Sequence, residues 1–347
     1  MKSLLRKTAV LAALTLLPLA GTVGTAGAAV LSCGAVVSVD TVLENDVGPC
    51  ENGGLVIGAN NVTLDLNAHQ VFGRPGPGDG IGILALGRTG VTIRNGTVHN
   101  FDGGVAIEGG SGNRVQYITA RDNIGRSGVT RVGDGIAVLS SRNNTIFGNN
   151  VINNGPFGGI GVYSEIDSDH PRATSGVSSG NLIDSNTVVN NRISRSGAVT
   201  DTDNDGIRIE PGTMRNTIQN NRVTGNGLDG IALFNRSSDN VIRHNNSSGN
   251  GLRTSARRGD GIRVFGTAHR TVIEANLTVR NGDNGIIVGS QDNRIVGNTA
   301  LYNRAFPPLN VNNLAVDLRD QNATCDNNLW QDNRYGTVNP PCAGDMP

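Results

Sequence analysis

One pattern of about 24 residues returns four times between Asp205 and Asn303, and it constrains the fold more than any other feature of the chain. Each copy opens with Gly-Ile, at Gly206-Ile207, Gly230-Ile231, Gly261-Ile262 and Gly285-Ile286. Asparagine then recurs in columns. The first holds Asn216, Asn240, Thr271 and Asn293, the second Asn221, Asn245, Asn276 and Asn298, and the third Asn226, Asn250, Asn281 and Asn303. Ile218, Ile242, Ile273 and Ile295 each sit two residues after the first column. Such a unit is too short for a strand-helix-strand element and lacks helical periodicity, so each copy reads as one coil of a solenoid.

The same anchors extend upstream through Gly80-Ile81, Gly104-Val105, Gly135-Ile136 and Gly159-Ile160. Asn113, Asn144 and Asn181 join the first column, while Asn123, Asn154 and Asn191 join the third. With a degenerate copy at Leu314-Ala315-Val316, the spacing predicts about ten coils over residues 53–322. A cap of residues 30–52 would precede this elongated domain, and a cap of residues 323–347 would follow it. Alternation inside Gly-Ile-x-Val turns Ile207 and Ile209, Ile231 and Leu233, and Ile262 and Val264 toward the interior. Burial of each such side chain contributes roughly 1.5–3 kcal/mol before chain entropy is counted. The asparagines are expected at the bends, in left-handed backbone geometry, with each side-chain amide bonded to the asparagine of the next coil.

The first 29 residues read as a secretory signal peptide. Lys2, Arg6 and Lys7 precede an apolar run from Ala9 to Ala20, and Ala26-Gly27-Ala28 offers small residues for cleavage. The apolar run is shorter than the roughly 20 residues of a spanning helix, so no membrane partner is expected after processing. Removing those three from the 29 basic residues leaves 26 against 29 acidic ones, a near-neutral exported chain with no basic stripe for nucleic acid. The cysteines fall at the two ends, Cys33 and Cys50 before the coils and Cys325 and Cys342 after them. Of the three possible pairings, local bridges are favoured because a solenoid holds its ends far apart. Zinc is the alternative, without a Cys-x-x-Cys to support it.

With these anchors and columns, and with Cys33-Gly34, Pro49-Cys50 and Thr63-Leu64-Asp65-Leu66-Asn67 before them, the chain resembles secreted right-handed parallel β-helix repeat proteins. Their relatives include pectate lyases, polygalacturonases, alginate lyases and mannuronan C5-epimerases. The resemblance implies an all-β fold, a right-handed single-stranded parallel β-helix with disulfide-fastened ends, and a monomer acting on a polysaccharide. The handedness also follows the rule for parallel crossovers.

Long connections at 124–134, 192–205, 251–260 and 304–312 should rise on one side of one sheet, with the insertion 164–180 at the other side, making a groove. Its floor would carry Gly161 and Tyr163, Arg208 and Glu210, Ala232 and Phe234, and Arg263 and Phe265 on successive coils about 4.8 Å apart. Neighbouring coils carry bland pairs there, Ala137 with Leu139 and Ile287 with Gly289. Arginine matches uronate carboxylates and aromatic faces match sugar rings, so the floor suits an acidic polysaccharide, with Phe234 and Phe265 as substrate-binding residues. Uronate lyase or C5-epimerase chemistry requires neutralising a carboxylate and moving the C5 proton, which makes Tyr163, His170, Arg208, Glu210 and Arg263 the candidate catalytic groups. The run from Tyr163 to Pro171 is similar to the Tyr, Asp and His arrangement of alginate epimerases.

A further column, Asp134, Asp205, Asp229 and Asp260, stands just before the Gly-Ile anchors, where Asp-Gly is ordinary turn chemistry. Asp201, Asp203 and Asp205 match the first half of a calcium loop, although Gly212 stands where the closing acid belongs. Calcium is thus the one candidate cofactor, with these three as metal ligands. The competing functional class is a non-catalytic surface or adhesion module.

Overall fold

The computed structural model describes residues 27–75, 80–125, 133–164, 176–191, 204–252, 259–304 and 315–344. Residues 1–26 of the expected leader, and most of each long connection expected to wall the groove, lie outside them. The anchors form the strands foreseen. Ile207 pairs with Ile231, Ile231 with Ile262 and Ile262 with Ile286, all in parallel. Among the described residues, these strands stack into a sheet of twelve that runs from Val36–Val37 to Val338–Asn339. It has more strands than the ten coils expected, because residues before 53 and after 322 join it as well.

The short strands behind the first and second asparagine columns, such as Thr217–Gln219 and Arg222–Thr224, stack into the other two faces of the coil. These faces belong to one sheet of 21 strands, because Thr92–His99 and Arg114–Arg121 each run through both. The enclosed space holds one continuous apolar core, in which Ile207, Ile209, Ile218, Val223, Ile231 and Leu233 are fully buried. β-Branched residues suit such a strand because both of their branches pack against the coils on either side.

The asparagine columns are three hydrogen-bonded ladders. In the second, the Asn245 amide donates to Asn276 Oδ1 at 3.0 Å and to the Ile218 carbonyl at 2.9 Å, while Asn245 Oδ1 accepts from the backbone and side chain of Asn221 at 2.9 Å each. One oxygen thus satisfies two donors of the preceding coil. The third ladder ends on Asp317, whose Oδ1 accepts from the backbone and amide of Asn303. A carboxylate can close the row because nothing beyond it needs a donor.

The bends correct one expectation. Left-handed backbone belongs to the residue before each ladder position, for example Arg215 (φ 55°), His244 (φ 54°), Ala275 (φ 52°) and Tyr302 (φ 57°), and the ladder asparagines are free of it. The left-handed residue turns the corner, and the following asparagine is thereby aimed into the coil. Strain of about 1–2 kcal/mol at such a residue is tolerated because the ladder over-determines its geometry.

Both local disulfides are present, Cys33–Cys50 and Cys325–Cys342, each closing a separation of 17 residues at an end of the solenoid. Closure of a loop this size is worth about 3 kcal/mol in the chain-entropy model. Paired cysteines fit a protein exported to an oxidising compartment.

Two substitutions test the ladders by thermal unfolding. Asn245→Ala leaves partners on both sides unpaired and should cost about 1–3 kcal/mol. Thr271 interrupts the first ladder and leaves Asn240 Nδ2 buried without a partner. Thr271→Asn should therefore stabilise the protein by about 1 kcal/mol; an unchanged or lowered melting temperature would show that the gap costs nothing.

Candidate functional site

On the twelve-stranded sheet, side chains at the outward positions of four coils gather into one cluster. The strand Gly158–Tyr163 makes room for it with two glycines. The Tyr163 ring folds back over Gly161, where any Cβ would run into the ring. Its hydroxyl donates to Asp134 Oδ2 at 2.6 Å. At Gly158 a Cβ would stand 3.2 Å from both Arg208 Cδ and Asp134 Oδ1, so the glycine lets the arginine lie against the strand. Arg208 Nε donates to Glu210 Oε1 at 2.7 Å, its Nη2 reaches the same oxygen, and its Nη1 lies 3.6 Å from Asp205 Oδ2.

The aspartates of the Asp-Gly turns form a carboxyl column bound by backbone. The Asp229 N–H donates to Asp205 Oδ1 at 2.9 Å, the Asp260 N–H to Asp229 Oδ1 at 2.7 Å, and the Asn284 N–H to Asp260 Oδ1 at 2.8 Å. Asn284 continues the column with a neutral amide and accepts from the Val316 N–H. Arg263 stands beside it, its Nη1 3.4 Å from Asp260 Oδ2.

The aromatic residues pack into a row with the arginines. The Arg208 guanidinium lies 4.7 Å from the centre of the Phe234 ring and 5.9 Å from that of Phe157. Phe234 stacks on Phe265 at 4.7 Å and 14°, and the Arg263 guanidinium lies 4.4 Å from the Phe265 centre. Two rings this close leave no gap for a guanidinium, so Arg263 covers the outer face of Phe265. Phe234 thus meets Phe265 and Arg208, and Phe265 meets Phe234 and Arg263, so the half-buried rings expected to stack on a sugar are already in contact with protein groups.

Burial is the larger departure from expectation. Tyr163 is 2% exposed, Arg208 5% and Glu210 4%, where the alternation placed them on an open groove floor. Among the expected site residues, Arg263 is the cation that reaches solvent, with its side chain 31% exposed. Asp205 turns one oxygen to a backbone N–H and the other toward Arg208, so its carboxylate serves the column and the arginine in place of calcium. Asp201, Asp203 and His170 lie outside the described residues. Among the described residues, no three His, Cys, Asp or Glu side chains are placed to hold a metal ion. No described helix is long and apolar enough to cross a membrane.

The sequence reading missed two members of the cluster. Asp134 was visible only as turn chemistry, and Phe157 precedes the Gly-Ile template. The signal was position, since Phe157 precedes the paired glycines that open the strand, and Asp134 stands one coil earlier, beside Gly158.

Burial displaces the acidities. It pushes the Asp134 carboxyl up to about 7, against the pull of the Tyr163 hydrogen bond and of Arg208. The Tyr163 phenol is held well above its usual range by burial and by the Asp134 charge. Asp229 is raised well above the carboxylate range by burial, then by the charges of Asp260 and Asp205, and Asp260 is raised by burial against Arg263. Burial works to lower Arg263, but Asp229, Asp260 and Asp205 outweigh it and raise it.

The model of the right-handed β-helix region matches residues 27–187 and 170–300. The chain belongs to the right-handed β-helix family. Among solved β-helix structures it is similar to the Dettilon tailspike protein, at 16% identity and a TM-score of 0.56, with 92% of this chain and 60% of that chain covered. It thus spans less than two thirds of the tailspike. It is also similar to the A-module of the mannuronan C-5 epimerase AlgE6 of Azotobacter vinelandii, at 14% identity and a TM-score of 0.54, with 91% of each chain covered. A double mutant of the periplasmic alginate epimerase AlgG aligns at 15% identity and a TM-score of 0.52, over 90% of this chain and 77% of that chain. These likenesses show a shared fold. No curated protein matches the β-helix in sequence.

The Tyr163–Asp134 pair predicts a pH dependence. Because the folded carboxyl titrates near 7 and the ordinary value is 3.8, the folded chain keeps a proton that the unfolded chain releases. Its contribution to stability is therefore complete below about pH 4 and declines as pH rises toward 7, by at most about 1.4 kcal/mol per unit. Asp134→Asn should flatten that part of a plot of melting temperature against pH. Parallel plots for the two proteins would show that Asp134 ionises normally.

Proposed function

We propose that this exported β-helix binds an acidic polysaccharide across the face between Tyr163 and Phe265 and acts on it as a uronate lyase or C5-epimerase. The observation that carries this reading is the 2.6 Å Tyr163–Asp134 hydrogen bond beside the buried Arg208–Glu210 pair. Burying charged groups costs several kcal/mol that apolar residues in the same places would avoid, so stability alone gives little reason for them. The neighbouring coils do use apolar residues, Ala137 and Leu139 on one side and Ile287 on the other. Two of the solved structures sharing the fold are named as epimerases of mannuronan or alginate, which supports the substrate class.

The two groups divide the proton chemistry. Asp134, titrating near 7, can accept a proton at neutral pH, while Tyr163 keeps its own and can donate it. Taking the C5 proton of a uronate and returning one, to C5 or to the departing O4, gives epimerisation or elimination respectively. A cation must offset the charge that develops on the uronate carboxylate, a task suited to Arg263. His170 is proposed as a second proton carrier, and calcium at Asp201 and Asp203 as an accessory ion.

One observation favours the other class, a non-catalytic surface module. Tyr163 is satisfied by Asp134 and Arg208 by Glu210, and all four are nearly closed to solvent, as groups fastening a face would be. Incubation with mannuronan and other polyuronates separates the two. An enzyme should give ultraviolet-absorbing unsaturated ends or inverted C5 centres by proton NMR, and Tyr163→Phe should lower turnover at least about 100-fold while binding persists. Binding without product on every polyuronate would establish the module and exclude the enzyme.

A further inference from the structure

The stacked carboxyls of Asp205, Asp229 and Asp260 are served unequally. Arg208 lies beside the outer oxygen of Asp205, and Arg263 beside that of Asp260. Asp229, between them, is fully buried, and its Oδ2 has no hydrogen-bond partner. Its other oxygen is taken by the Asp260 N–H. Adjacent strands bring the three carboxyls to about one strand spacing from each other, roughly 4.8 Å. An ionised oxygen in that position would be a buried charge without a donor, flanked by two like charges, whereas a protonated one is only an unpaired hydroxyl.

We propose that Asp229 is a neutral carboxylic acid, and that its proton leaves Arg263 as the cation through which this face meets an anionic group of its ligand. Asp229 is then a positioning residue for charge, acting through Arg263 without touching the ligand. The groups facing it are Asp205 and Asp260 along the column and Arg263 at the side, with Arg208 and Glu210 reached through Asp205. Arg319 acts on Asp260, and Asp283 on Arg263. If all ionised, the carboxylates of Asp205, Asp229, Asp260 and Glu210 would outnumber the guanidinium groups of Arg208 and Arg263. An acidic ligand would meet a negative face. A proton on Asp229 lowers that excess from four against two to three against two, and the charge it removes is the uncompensated one that acts most on Arg263. Burial and the two flanking charges both raise the acid in the direction this requires.

The occupant of Arg263 is an anion-bearing chain, and the inference rests on the proposed function only for its being a uronate. The proton is tested without ligand. Infrared difference spectra at neutral pH should show the carbonyl band of a protonated carboxylic acid in the wild type that Asp229→Asn lacks. The melting temperature of Asp229→Asn should rise relative to that of the wild type as pH increases above about 4, since the folded wild type retains a proton that its unfolded chain releases and so loses stability there. A band of equal strength in both proteins, or a constant difference between the two melting temperatures, overturns the proposal.

Dextran sulfate, a polyanion without uronates, tests the cation. Arg263→Gln should weaken its binding about tenfold, equivalent to roughly 1.4 kcal/mol, and Arg263→Lys should recover part of the loss. Full affinity in Arg263→Gln, or no binding by the wild type, overturns that half. If mannuronan fails to bind while these results hold, the proposed function falls and the inference stands.

Discussion

The amide ladder is the interaction on which the rest of this molecule depends. An apolar interior would hold the three faces together whatever the axial register, because aliphatic burial is not directional. Asparagine supplies the direction. Its oxygen accepts a backbone and a side-chain N–H of one coil, and its own amide donates to the next, so a coil displaced by one residue would lose both bonds and bury their donors. Three such rows, one at each corner and starting at Asn113, Asn123 and Asn149, fix the coils they run through against their neighbours. Corners can then accept left-handed backbone at Arg215, Ala275 or Tyr302.

The same rigidity explains how the Tyr163–Phe265 face can hold groups that would otherwise disperse. Buried Arg208 and Glu210 are costly, and the cluster adds acids in excess of bases. A scaffold secured by many ladder bonds and a continuous apolar core can carry that cost at one place without losing its register. The site and the scaffold also share a construction rule. In the asparagine rows the backbone N–H of one coil meets a side-chain oxygen of the next, and in the Asp205–Asp260 column the same kind of bond runs the other way, from the N–H of the following coil back to the carboxyl. The column substitutes carboxyls for amides where the Asp-Gly turns enter the sheet, and ionisable groups thereby gain the positional order of the ladder.

The scaffold was legible from sequence because each coil is determined by its own residues and its neighbours. Gly206-Ile207 and Asn216 mean the same thing in the next copy, so periodicity averages out local noise. The left-handed corners were less legible, since arginine, histidine, alanine and tyrosine stand there as well as asparagine, and the geometry comes from the ladder that follows. Alternation showed that Tyr163 and Arg208 leave the interior. It could not show that they fold back along the sheet, which required Gly158 and Gly161 to be read as space. The ring faces of Phe234 and Phe265 were misjudged for a metric reason. Rings on adjacent strands stand at stacking distance from each other, so they close on one another before any ligand arrives.

The ladders have one further property. Along each row the side-chain oxygens accept from the N-terminal side, and an amide such as that of Asn245 sends one hydrogen on to the next coil and the other back to the Ile218 carbonyl, so the amide dipoles keep a common component along the axis, whereas the peptide dipoles of the sheets largely cancel. The protein is thus an electrically polar rod whose positive pole lies where the third ladder stops. Asp317 occupies that pole, with its Oδ1 against Asn303. There the last two donors of the row meet a carboxylate oxygen, which has no N–H of its own to pass on.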